Sequence, residues 1–369
     1  MKTIQRLIYG EVLAAVAFVT LGFLSLFFFF DLVDELRWVG QKGSAGYQLS
    51  HALLYVALMI PSHLYELLPI TVLIGTIFVM ARLAQSSEYT ILRTSGLGPW
   101  RALKTLMLLG LAFVIFTFAT GDYLAPLTDR TAQSLKARYL YQGKLTVGKT
   151  GAWLREKQTY YSYAVNVNEL SPDGEMLGIR IFEFDKPGFL VSTTQAEKGR
   201  FGKDDGWLLE NVQRSEFSPH GAEQKLERVH IASQRWPTEL SAEMVSVALL
   251  KPERMKTIDL FQYIQHLDAN GQTAQRYEIE FWKKVFYPLS CLVMVVLALP
   301  FAYLHFRAGG IASYVFGGVM IGISFFLLNN VFSYIGTLQN WVPWLTAAAP
   351  GLLYSVFSLA AFGWLVLRR

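Results

Sequence analysis

Val12-Leu-Ala-Ala-Val-Ala-Phe-Val-Thr-Leu-Gly-Phe-Leu-Ser-Leu-Phe-Phe-Phe-Phe30 contains no charged side chain, and its only polar ones are Thr20 and Ser25. A hydrocarbon core of about 30 Å takes about 20 apolar residues as helix, because the backbone there must satisfy its own hydrogen bonds. The run therefore reads as a membrane span. It is too long for a signal-peptide core and lacks the small-residue cleavage site, so it is expected to be retained.

Working outward, five further segments meet the same criterion. His51 to Met80 is apolar but interrupted by Pro61, His63, Glu66 and Pro69, so its first part is expected along the membrane surface, with the span itself from about Leu64 to Met80. Leu103 to Thr120, Val285 to Leu304, Ile311 to Ile335 and Val342 to Leu367 supply spans three to six, each long enough to cross with some tilt. Composition agrees, since 53% of the 369 residues are hydrophobic, only 17% are charged and 26 are Phe, too apolar a mix for an ordinary soluble protein.

The charged residues crowd into Gly143 to Glu280, so two membrane blocks flank one aqueous block. With the N-terminus inside, Lys2, Arg6, Arg82, Arg93, Arg101, Lys104, Arg307, Arg368 and Arg369 fall on the cytoplasmic side, while the short outer loop carries only Arg37 and Lys42. Both termini are then cytoplasmic, and the aqueous block, about Tyr139 to Thr273, lies across the membrane. The net charge of +5 sits mainly at the ends of apolar segments, with no basic stripe interleaved with aromatics, which argues against nucleic acid. The single cysteine, Cys291, excludes an intrachain disulfide.

Within the aqueous block, Trp153 to Val167 and Leu177 to Ile181 alternate like strands. Ser171-Pro172-Asp173-Gly174, Lys186-Pro187-Gly188 and Asp204-Asp205-Gly206 punctuate them as turns, which suggests a sandwich or jelly roll. From Thr257 the period turns helical, with Ile258, Phe261, Ile264 and Leu267 on one face and Asn270-Gly271 as a stop. Three segments result: residues 1–138 with spans one to three, residues 139–256 as the β domain, and residues 257–369 with a connecting helix and spans four to six.

Gly143-Lys144-Leu145-Thr146-Val147-Gly148-Lys149-Thr150 matches the phosphate-binding pattern GxxxxGK[ST]. That loop works between a buried strand and a helix N-terminus, whereas here a strand pattern comes next and ATP is on the other side of the membrane. No metal-ligand spacing, nucleophile elbow or other catalytic constellation occurs. His63 and Glu66, three apart, read as an interfacial pair rather than a metal or proton site. Catalytic, cofactor-binding and metal residues are therefore expected to be absent, and the chain is read as no enzyme.

The loop after span two, Arg82 to Gly96, has two readings on periodicity: a solvated connection, or a short surface helix with Glu88 and Leu92 at i, i+4 and Gly96 ending it. Were a partner to drive this membrane protein, a rigid surface helix is the kind of element through which it could do so.

Several short motifs stand in order on this topology. They are Asp34-Glu-Leu-Arg37 leaving span one, Leu83-Ala-Gln85-Ser-Ser-Glu88 with Ser95-Gly96, Ala125-Pro126 after span three, and Arg276-Tyr277 through Trp282-Lys-Lys284-Val-Phe286-Tyr-Pro288-Leu289. Together they make the whole chain resemble the LptF/LptG permease family, on its LptG side. The resemblance implies a six-span α-helical membrane bundle with a periplasmic β-jelly-roll domain inserted between spans three and four, in the Gram-negative inner membrane. It also implies the permease half of an ABC transporter that extracts lipopolysaccharide, paired with an LptF-like second permease. An LptB-like ATPase dimer would drive it, and LptC-like and LptA-like bridge proteins would receive the lipid. No cofactor is implied.

By the same resemblance, the segment about 84–96 becomes the ATPase-coupling helix, with Gln85, Glu88, Tyr89, Leu92, Arg93 and Gly96 in the partner's groove. Spans one and five become the lateral gate. Phe23, Phe27 and Phe30 would wall the acyl-chain cavity, with ordinary packing as the alternative, and Gly318 and Gly322 would offer a small-xxx-small face. Arg37, Lys42, Arg130, Lys136 and Arg138 are the expected phosphate contacts. The chain departs from the family at the outer end of span one, where Asp31 and Trp38 stand in place of lysines. Two rival readings are a MacB-like or FtsX-like transducer, which would have four spans, and a membrane enzyme acting on lipid-linked sugars, which would need an intramembrane acidic or histidine cluster.

Overall fold

The computed structural model describes residues 2–40, 46–140, 145–146, 151–171, 174–202, 206–217, 226–241, 244–245, 251–303 and 310–364. They form two compact units, one from Met1–Asp34, Val56–Asp129 and Glu278–Arg369, the other from Glu35–Tyr55 and Arg130–Tyr277.

The first unit is helical. Helix α1 spans Lys2–Leu36, α2 Leu49–Gln85, α3 Glu88–Thr94 and α4 Pro99–Ala119, which starts with Pro99 at its first position, where the missing N–H costs nothing. A π-helical turn, Thr120–Leu124, joins α4 to α5, Ala125–Leu140. Such a turn loosens the carbonyl ladder. The Gly121 carbonyl accepts from the buried Lys284 Nζ at 3.1 Å, and Gly121 itself has no room for a Cβ, which would meet the Tyr65 ring at 2.3 Å.

Span two runs as one helix through Pro61 and Pro69, so the expected surface-lying first half is not a separate element. Prolines are tolerated inside membrane helices where neighbours satisfy the freed backbone. In the turn around Pro69 the Tyr287 hydroxyl donates to the Glu66 carbonyl at 2.6 Å and the Thr71 hydroxyl to the Leu68 carbonyl at 3.1 Å, which holds the backbone beside the proline. At 37 residues, α2 is roughly 55 Å long and exceeds the hydrocarbon thickness.

Span four also departs from expectation. Its sequence forms two helices, α7 Gln275–Phe286 and α8 Ser290–Ala298, with a 3₁₀ continuation Leu299–Tyr303. The pair is bent by 45° across Tyr287-Pro288-Leu289, where Pro288 cannot continue the ladder. Helices α9, Ile311–Leu338, and α10, Pro343–Phe362, complete the set. Among the described residues, five helices are long and apolar enough to cross a membrane, and six segments if the bent pair counts as one. Helix α2 is the hub, with 83% of its most apolar window buried within the chain, against 17% for α1 and 17% for α9, which keep apolar faces outward.

The second unit holds one antiparallel sheet of β1 Leu145–Thr146, β2 Ala152–Lys157, β3 Ser162–Leu170, β4 Met176–Phe184, β5 Leu190–Gly202, β6 Gly206–Phe217 and β7 Leu226–Pro237. Strands β3 to β7 pair in chain order, while β1 and β2 both pair with β3. Val165, Val167, Ile179, Ile181, Ala196 and Val212 form a buried face. Trp207, fully buried, donates its Nε1–H to the Leu240 carbonyl at 2.7 Å. Of the phosphate-loop lookalike, Leu145-Thr146 is strand and the rest of the pattern lies outside the described residues; the next element along the chain is strand β2, not the helix a phosphate loop requires.

Helix α6, Thr257–Ala269, forms as expected but buries a different face: Asp259, Leu260, Tyr263 and Leu267 turn inward, whereas Ile258 and Phe261 are exposed. Leu260, Tyr263 and Leu267 make the apolar part of this face, and an ion pair with Arg130 satisfies Asp259 beside them.

Candidate functional site

Three regions of the chain gather the residues singled out from the sequence. The first is α3. Ser87, with φ 61°, breaks the helix direction after Gln85, and Gly96, at φ +101°, ends the next segment in a backbone conformation that suits glycine. Tyr89 is buried in the helical core, with its ring 5.2 Å from that of Tyr303, and Leu92 packs against the same cluster. The Arg93 guanidinium lies 5.6 Å over the Tyr303 ring. Gln85, Glu88 and Gly96 are exposed, so the free face of α3 runs through Glu88 and Ile91 rather than Glu88 and Leu92. Ile91, 62% exposed, and Trp100, 65% exposed, were not foreseen; two exposed large apolar side chains beside a short polar helix were the available signal.

The second region is the interior of the helical unit. Phe23 and Phe27 are half-buried on α1 and Phe30 is exposed. The Phe27 ring lies tilted against His63 at 5.0 Å, and the His63 Nε2 lies 2.6 Å from Asp31 Oδ2. His63 is thus paired with Asp31 on α1. Thr20 donates to Thr71 at 2.9 Å, and at Gly75 a Cβ would stand 2.8 Å from the Val16 backbone, so α1 and α2 touch almost without side chains between them.

Gly318 and Gly322 make a comparable face on α9. A Cβ would meet Ile77 at 2.8 Å and Ile70 at 2.7 Å respectively. The small-xxx-small face is therefore occupied by α2 of the same chain. The outward stripe of α9 is instead Phe316, Met320, Ile323, Leu327, Val331 and Tyr334, all exposed at helical spacing.

The third region lies in the second unit, where α1 ends, α2 begins and α5 passes. Glu35 is buried and accepts from Lys136 Nζ and from the Tyr47 hydroxyl, each at 2.8 Å. The Lys136 ammonium also sits 4.6 Å from the Tyr55 ring centroid and 5.8 Å from that of Trp38. Burial, reinforced by the Glu35 carboxylate, pushes the Tyr47 phenol far up, so it stays a donor. Of the expected phosphate contacts, Lys136 and Arg130 are thus already paired with acids, Arg37 and Arg138 are exposed, and Lys42 lies outside the described residues. Among the described residues no group of His, Cys, Asp and Glu is arranged to hold a metal ion.

Comparison with known proteins bears on all three regions. The family model described as Lipopolysaccharide export system permease LptF/LptG matches residues 6–367. The Lipopolysaccharide export system permease protein LptG of Escherichia coli (strain K12) is 26% identical over 350 residues, covering 94% of this chain and 94% of that protein. Its namesake from Haemophilus influenzae is 26% identical over 369 residues, covering 100% of this chain and 99% of that protein.

Proposed function

The chain belongs to the LptF/LptG family of lipopolysaccharide export permeases, and from that membership we infer how its parts work. It is a permease of the lipopolysaccharide export system, a multi-pass inner-membrane protein, and ATP hydrolysis resides in a separate subunit. The match over residues 6–367 carries this conclusion.

In the scheme we infer, six spans, the fourth of them bent at Pro288, place both termini in the cytoplasm and the β module in the periplasm as a jelly roll. An LptF-like permease stands beside the chain, an LptB-like ATPase dimer beneath it, and LptC-like and LptA-like proteins continue the path. Helix α3 seats Glu88 and Ile91 in the ATPase groove, and the edge-to-face contact of Tyr89 and the cation–π contact of Arg93 with Tyr303 pass the stroke to the bundle. Lipopolysaccharide enters laterally between α1 and the outward stripe of α9, with acyl chains against Phe23, Phe27 and Phe30. Phosphates meet Arg37, Lys42 and Arg138, while Arg130 and Lys136 serve first as partners of Asp259 and Glu35. ATP binding collapses the cavity and drives the lipid into the β module.

A MacB-like or FtsX-like transducer is disfavoured by the five to six apolar segments. The test is Glu88→Ala. Cells carrying only this variant should make a folded, assembled permease that no longer exports lipopolysaccharide; unchanged export removes the coupling role.

A further inference from the structure

In β3 to β6 burial does not alternate strictly. Val167 and Leu170, Ile179 and Met176, Ala196 and Gly199, and Val212 and Leu209 are buried three apart in each strand, where a pleat demands an even spacing. The skipped positions fall between the same ladder pairs: Asn168 beside Gly178 in β3 and β4, Glu197 beside Asn211 in β5 and β6. Gly178 at φ +62° and Asn211 at φ +55° take the left-handed conformation that lets a strand carry an extra residue. Glycine suits 178, where a Cβ would press on the Asn168 side chain, 2.8 Å from its Nδ2. A crease therefore crosses four strands and opens a notch of about 300 Å³ on the polar face, lined by Asn168, Arg180, Gln195, Glu197, Asn211 and Gln213.

The mixture of groups selects a ligand class. Arginine only donates hydrogen bonds, an ionised glutamate only accepts them, and amides do both. An anion would meet Glu197, a cation would meet Arg180, and an apolar ligand would strip water from all six side chains. A hydroxyl, which donates and accepts, suits the set. Glu197 is already oriented by Asn211 Nδ2 at 2.9 Å. The row continues in register as Trp153, Asn166, Arg180, Gln195, Gln213 and His230, with Asn166 buried and donating to the Ala152 carbonyl at 3.2 Å, so that it supports the row from beneath rather than facing a ligand. Trp153, 52% exposed and stacked on Phe182 at 5.9 Å, offers an aromatic platform two ladders, or roughly 10 Å, from Arg180.

We propose that this crease binds saccharide, with Arg180, Gln195, Glu197 and Gln213 holding ring hydroxyls and Trp153 carrying the less polar face of an adjoining sugar. The site stands on the geometry of the sheet; only the identification of the sugar as the cargo's own oligosaccharide rests on the permease reading. The full-length chain, in its transporter complex in nanodiscs, is titrated calorimetrically with deacylated lipopolysaccharide oligosaccharide and, separately, with maltoheptaose. At least one binds, and Arg180→Ala and Gln195→Ala each weaken it about tenfold, while the melting temperature of the exposed-site variants is unchanged. Preference for the first sugar identifies the cargo, and preference for the second identifies another glycan. If neither binds, or if binding survives both substitutions and the independent Gln213→Leu, the inference falls, even where export in cells is intact. Protection of Arg180 by a bound protein without any sugar binding overturns it equally.

Discussion

Replacing Glu35 with Ala removes the acid that two side chains of α5 and the α2 entry share. The carboxylate is 5% exposed and the Lys136 ammonium 17%. Breaking a buried pair from one side costs about 3–5 kcal/mol, because the remaining charge is left unsolvated. The orphaned Tyr47 hydroxyl adds about 1 kcal/mol. Against this, the Tyr55 ring at 4.6 Å still holds the ammonium, worth about 1 kcal/mol, and residual solvent reaches it. The net loss is about 2–4 kcal/mol, confined to the second unit. Hydrogen exchange of α5 amides in detergent-solubilised protein reads this as a faster opening. The double variant Glu35→Ala, Lys136→Met removes both charges and should return to within about 1.5 kcal/mol of the parent. If Glu35→Ala exchanges like the parent, or if the double variant opens as easily as the single one, the buried pair is not what holds this corner.

Ile91→Asp alters an exposed side chain and should cost under about 0.5 kcal/mol of stability, yet it should abolish co-purification with the ATPase; retention of the ATPase would clear Ile91 of any role. Gly75→Ala, pressed on the Val16 backbone, should destabilise the bundle by about 1–3 kcal/mol, whereas Gly318→Ala meets only the movable tip of Ile77 and should cost less, an order that melting temperatures will reveal. Burial lowers His266 below the usual imidazole range, against the opposing pull of Glu156 and Glu239. The unfolded chain then binds the extra proton first, so this contribution to stability is complete above about pH 6.5 and is lost as pH falls below it. His266→Gln should flatten that part of the pH–stability curve, and an unaltered slope would assign it to other groups.

Much of the architecture was legible because membranes impose a length and a polarity that a chain cannot disguise. Val12 to Phe30 has no other soluble fate, and the turns at Ser171 to Gly174 and at Lys186-Pro187-Gly188 announce the sheet. What could not be read were tertiary decisions. Pro69 looked like an interruption, yet Tyr287, more than two hundred residues away, caps the neighbouring carbonyl. Ile258 and Phe261 looked like the buried face of α6, yet Leu260 and Tyr263 turn inward and Arg130 pairs with Asp259 beside them. Lys136 looked like a free cation because nothing local marks Glu35 as its partner. The crease in the sheet was likewise invisible, since an odd spacing in one strand means little until three neighbours repeat it in register.

Sidedness underlies each of these roles, and labelling of introduced cysteines measures it directly, because the native Cys291 is buried. Ser87→Cys reports the start of α3, and Gly188→Cys the turn between β4 and β5. In intact spheroplasts a membrane-impermeant maleimide should modify position 188 at once and position 87 only after the membrane is opened. Equal labelling of both from the same side would place the β module with the ATPase and end the transport account.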